Sequence, residues 1–192
     1  MRKELTALIG LALLGCSEQA EQANASTATP IQPQDTLHRY RLIASDLLTN
    51  IRIQTPAEAI AQQAEDLMHE AGPVLAHFNQ AYPQCGAYLD AVLGAAQTLP
   101  TLTLQQLELD YHDAQALPTL VDPVCYHPKE LLVHPAKVAV MSKAGLSDDE
   151  AYLDAELELV ELMAHVEQVR LAFKRAEAAT ESSEVANDST SI

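Results

Sequence analysis

The 192-residue chain has no tryptophan, only two phenylalanines, six glycines and three cysteines. So few glycines exclude a collagen-like chain, and three cysteines cannot staple a disulfide-dense scaffold. Positive charge is equally scarce: 11 Lys and Arg stand against 27 Asp and Glu, a formal net charge of −16. Lys and Arg are what displace counterions from a phosphate backbone, so this balance argues against a nucleic-acid partner. Long apolar runs are missing as well; the ten-residue stretch 5–14 is too short to span a bilayer as a stable helix. No G-x-S-x-G, H-E-x-x-H, P-loop, dinucleotide or C-x-x-C-H motif occurs, which removes the reactions and the covalent haem that those patterns carry. What is present is 48% hydrophobic residues, enough for the core of one soluble, acidic, helical domain.

Residues 1–16 read MRKELTALIGLALLGC: Arg2 and Lys3, then an apolar run, then Gly15 and Cys16. That order is a signal peptide, and Leu13-Leu14-Gly15-Cys16 resembles the lipobox of bacterial lipoproteins. The resemblance covers these sixteen residues alone. It implies that residues 1–15 are removed and that Cys16 carries acyl chains on its sulfur and on its new amino terminus. Each buried methylene contributes about 0.8 kcal/mol, so several chains anchor durably where one would not. Ser17, in place of an Asp, implies sorting to the outer membrane, on its periplasmic side. Cleavage leaves 9 basic and 26 acidic residues, so an anionic surface repels the protein and the lipid must hold it.

Residues 16–35 are the lipidated Cys and a flexible linker rich in Ala, Gln, Ser and Thr, whose 19 residues after Cys16 span roughly 20 to 25 Å. Residues 180–192 are similarly polar and read as a frayed, acidic tail, leaving residues 36–179 as the folded domain. Within it, Leu37, Tyr40, Ala44, Leu47 and Ile51 form one helical stripe, with Asp35 or Thr36 available as its cap. Thr55 and Glu58 suggest a capping box ahead of a second stripe from Ile60 to Ala81, which Pro73 should kink or divide. A shorter helix is predicted over 84–97, and Thr103 with Gln106 caps a short piece carrying Leu104, Leu107 and Tyr111. Ser147 and Glu150 suggest a capping box for the last helix, whose seam is Tyr152, Ala155, Leu159, Leu162, Val166, Val169 and Phe173. The expected fold is all-α: an up-and-down bundle of four or five helices, with an irregular proline-rich segment before the last helical pair.

That segment, residues 110–135, concentrates three of the seven histidines, four of the ten prolines and Cys125. Prolines fix backbone angles and withhold donors, giving a stiff polar loop of the kind that carries binding sites. Imidazole and carboxylate suit Zn or Cu, so His112, His127, His134, Glu130 and Asp113 are the candidate metal or ligand residues. Glu130 and His134 are four apart and face one another on a helix, whereas His127 and His134 lie two turns apart, about 10.5 Å, too far to share an ion. His38, His69, His77 and His165 read as surface or core-edge residues. With Cys16 lipidated, Cys85 and Cys125 are the remaining pair, and in an oxidising compartment they are expected as a disulfide.

Three functional expectations follow. The first is a non-catalytic, lipid-anchored envelope protein that presents residues 110–135 to a ligand or another envelope protein. The second is a periplasmic Zn- or Cu-binding bundle using the histidines of that segment. The third is an enzyme in which Asp110 and Asp113 orient His112 as a general base.

Overall fold

The computed structural model describes residues 32–188, with side chains through residue 182. The lipobox, Cys16 and linker residues 17–31 lie outside the described residues. Among those described, the chain is all-α. Pro33, whose fixed φ suits the first helical position, opens α1 (Pro33–Arg52), so the last three residues of the expected linker are helical. Gln32 occupies the cap position without a side-chain capping bond to the helix, and Thr36 donates its hydroxyl to the Pro33 carbonyl. The stripe predicted for α1 is the stripe that is buried: Leu37, Tyr40, Ala44, Leu47 and Ile51.

Next comes α2 (Ala57–Ala81), which runs unbroken through Pro73 rather than dividing there. Pro73 lies on the exposed face, as does His69 four residues earlier, so the carbonyl that loses its helical donor has access to water. The Thr55–Glu58 capping box does not form; the Thr55 carbonyl accepts from the Tyr152 hydroxyl at 3.1 Å instead. A short turn over Pro83–Cys85 leads into α3 (Gly86–Ala95). Thr103 and Gln106 do make their reciprocal capping box, opening the single turn α4 (Leu104–Gln106). The last two long helices are α5 (Tyr126–Ala144) and α6 (Asp149–Asp188).

The irregular stretch therefore ends at Cys125: residues 126–135, expected within it, are the first half of α5. Gly145, at φ +102°, ends that helix in a conformation that side chains avoid. The cap of α6 is Asp148, whose Oδ1 accepts from Ala151 N–H at 2.9 Å, one residue beyond the expected Ser147. Residues 180–188, expected to fray, continue α6 as helix.

Four long helices form a closed ring in the order α1, α2, α5, α6. Arg52 pairs with Glu156 and Gln34 with Glu177, which sets α1 antiparallel to α6. Lys143 pairs with Glu65 near the start of α2, so α2 and α5 are antiparallel too. The bundle is up-and-down, and its core includes the predicted α6 seam from Ala155 to Phe173, with Tyr152 packed at its edge. Cys85 and Cys125 form a disulfide with an S–S distance of 2.03 Å, fixing the start of α3 to the start of α5.

Candidate metal centre

The site begins with a departure from helical regularity. After α4 the chain opens into a π-helical turn, Leu107–His112, closed by Asp113 N–H bonding to the Glu108 carbonyl at 2.7 Å. This wider turn places His112 over α5. Its last carbonyls have no helical donors, and the Lys129 ammonium supplies them, donating to Tyr111 O at 2.7 Å and His112 O at 2.6 Å. Lys129 is fully buried, under the face of Tyr126 at 4.5 Å, and its Nζ lies 2.8 Å from Glu130 Oε1. This last contact has ion-pair range but not the angles of a hydrogen bond.

Glu130 and His134, one turn apart on α5, are also fully buried. Glu130 Oε2 lies 3.4 Å from His112 Nδ1 and 3.7 Å from His134 Nε2. The three ligand atoms all fall within 4.8 Å of one another. Both Glu130 oxygens, His112 Nδ1 and His134 Nε2 are sealed from solvent and make no hydrogen bond. Buried polar atoms without partners are rare and call for a reason. The outer ring nitrogens are treated differently. His134 Nδ1 sits 2.7 Å from Glu158 Oε2, and His112 Nε2 is 4.0 Å from Glu108. A carboxylate behind an imidazole fixes its tautomer and turns the opposite lone pair inward, the usual support of a metal-binding histidine. Lys137 bridges Glu158 at 2.6 Å and Glu108 at 3.0 Å, tying the two supports together.

Burial alone would raise the Glu130 pKa, but contact with His112 and the charges of Lys129 and His134 bring it down to about 2. The same carboxylate raises the His112 pKa, with burial opposing. Glu158 is pushed up by burial and held below its usual value by His134 and Lys137. The phenol of Tyr88 is pushed up to about 12 by burial and by the Glu130 charge, and that of Tyr126 rises for the same two reasons.

Of the predicted residues, His112, Glu130 and His134 come together; His127 and Asp113 do not join them. Asp113 is exposed at the end of the π-turn. His127 faces His165 of α6, with their Nδ1 atoms 2.9 Å apart, and His165 in turn stacks on His134 at a centroid distance of 5.2 Å. Desolvation lowers the His165 pKa to about 4, and the neighbouring imidazoles add to that against the pull of Glu130. Sequence reasoning left out Lys129, Glu158 and His165. Glu158 and His165 are seven residues apart beside the α6 seam, a repeat that puts both on one face, and that spacing was the available signal. No family model, curated protein or solved structure matches the chain.

Metal–nitrogen and metal–oxygen bonds near 2.05 Å separate ligands by about 3.3 Å in a tetrahedral site and about 3.6 Å in a trigonal one. The observed 3.4 Å falls in that range and the observed 3.7 Å lies just beyond it. The triad can therefore close on a transition-metal ion with small side-chain movements.

Proposed function

We propose that this chain is a lipid-anchored protein of the bacterial cell envelope whose bundle binds a transition-metal ion of the zinc or copper kind through His112, Glu130 and His134. The observation that carries the reading is the convergence of four solvent-sealed donor atoms that make no hydrogen bond, with a carboxylate supporting the far side of His134. Two nitrogens and a carboxylate oxygen are the donor set that borderline first-row ions take. Anchoring through Cys16 and sorting by Ser17 to the periplasmic side of the outer membrane belong to the same proposal.

Metal analysis of protein purified without chelator tests the first half. One equivalent of Zn or Cu retained, with a raised melting temperature on adding either ion, is the expected result. Absence of both retention and a melting shift would refute metal binding, and loss of both in His134→Ala would place the ion. For the second half, Cys16→Ser should leave the bundle folded but move it from the membrane pellet to the soluble fraction; a variant that stays in the pellet contradicts lipid anchoring.

A second reading, presentation of residues 110–135 to an envelope partner, draws support from Leu120 and Val121, exposed at 38% and 68% between Pro118 and Pro123. A photo-crosslinker at Val121 in intact cells should then yield one discrete adduct, and a uniform smear or none would count against it.

A further inference from the structure

One face of α6 is left over by the packing of the bundle. The seam that α6 buries includes Ala155, Leu159, Leu162 and Val166. On the opposite side Leu153, Leu157 and Val160 stand in solvent, 53%, 51% and 44% exposed, and Ala164 is exposed beyond them. Their spacing of four, three and four residues is that of a second helical seam, and at 1.5 Å per residue it runs for about 16 Å. A helix with one buried stripe normally keeps its opposite face polar. Leu104 of α4 widens the apolar band: with Met141 and Leu157 it lines a groove of about 470 Å³ shared by α4, α5 and α6.

The rim of this band has one sign. Over residues 149–169, α6 carries seven acidic side chains and no Lys or Arg. At 100° per residue, Glu150, Asp154 and Glu161 follow one edge of the band, and Glu156 and Glu167 follow the other. Arg52 pairs with Glu156 and Arg170 with Glu167, but among the described residues no cation pairs with Glu150, Asp154 or Glu161. Lys137, the cation that lines the groove, is already held between Glu158 and Glu108.

Contiguous exposed apolar surface with a polar rim marks an interaction site, and the sign of the rim selects the partner. A second copy of this chain would set acidic rim against acidic rim, and the net charge of −16 adds to the repulsion. An anionic bilayer is repelled in the same way. A helix with large apolar residues at i, i+4 and i+7, and Lys or Arg beside them, meets both the band and the unpaired carboxylates.

We propose that the 153–164 face of α6 is the docking site of a basic amphipathic helix of another protein, with apolar side chains on Leu153, Leu157 and Val160 and Lys or Arg on Glu150, Asp154 and Glu161. Docking there uses none of residues 110–135 and needs no ion at the triad, so it is independent of the metal-binding reading.

The probe is a labelled three-heptad peptide with Leu at its a and d positions and Lys at e and g. Its fluorescence anisotropy is titrated with the full chain in phosphatidylcholine nanodiscs, with empty nanodiscs as the blank. One peptide should bind per chain, about tenfold or more tighter than an isomer of the same composition whose leucines are scattered around the helix. Leu157→Glu adds negative charge at a half-exposed position, so attraction by charge alone would strengthen; docking on the band should weaken by about tenfold or more. Reversing the rim with Asp154→Lys and Glu161→Lys together should weaken it by about fivefold or more. Equal affinity for the two peptides, no binding of either, or a Leu157→Glu protein that binds as tightly as wild type would overturn the proposal. A photo-crosslinker at Leu153 that joins two copies of this chain would overturn it too, by giving the face to a second copy. The comparison of peptides needs only the wild-type protein, so it decides even where a variant does not fold.

Discussion

Replacing Glu130 by Gln keeps the side-chain volume and removes the one negative charge inside the triad. In the folded protein that carboxyl titrates at about 2 instead of the usual 4.5, because its partners outweigh its burial. Each tenfold change in a protonation equilibrium is about 1.4 kcal/mol, so the ionised form contributes about 3 kcal/mol to folding at neutral pH. The sign follows from the depression. The contribution is complete above 4.5 and is lost as pH falls toward 2; at pH 3 roughly half of it remains. Glu130→Gln should thus be less stable than wild type by about 3 kcal/mol at pH 7, or more, since Lys129 is left as a buried charge without its counter-ion. At pH 3 the gap should be roughly half as large. Urea titrations of both chelator-treated proteins at the two pH values measure it. A gap that is the same at both, or below about 1 kcal/mol at pH 7, would show that the carboxylate is not ionised in the core as described.

Three other perturbations probe the frame around the site. Replacing Cys85 and Cys125 by Ser opens a loop spanning 40 residues, and the urea midpoint should drop by the equivalent of about 4 kcal/mol. Tyr40→Phe leaves the buried Leu131 carbonyl without its 2.7 Å donor; a loss of about 1 to 3 kcal/mol is expected, and restoring an N–H with Pro135→Ala in the same protein should recover most of it in a double-mutant cycle. Leu162→Ala, in the fully buried α6 seam, should cost about 2 to 5 kcal/mol by thermal or urea unfolding.

The long helices were legible because burial in a bundle repeats every three to four residues, and every core position predicted for α1 is buried. The disulfide was legible by arithmetic on the cysteines. Proline was harder to read, because its effect depends on who else can satisfy the orphaned carbonyl. At Pro73 water can reach it, while at Pro135, in the core, the hydroxyl of Tyr40 bonds Leu131 O, and α5 runs through residues expected in the irregular segment. Half of the site was visible as the Glu130–His134 spacing. Lys129 was not, because a lysine beside a glutamate reads as surface; only the carbonyls left over by the π-turn explain an ammonium in the core. His165 was passed over since one imidazole beside a seam has no pattern until α5 is packed against it.

The six-residue π-turn has an evolutionary corollary. A π-turn is an α-helix holding one extra residue, so removing a single residue from the Leu107–Tyr111 part of the turn would let the stretch wind as ordinary helix. Successive side chains on such a helix are rotated by about 100°, and His112 would swing off the face that looks at Glu130. A one-codon deletion could thus silence the site while leaving the four long helices as they are. Cousins of this chain that carry or lack that residue would form two classes, one with His112 set over Glu130 and one without it.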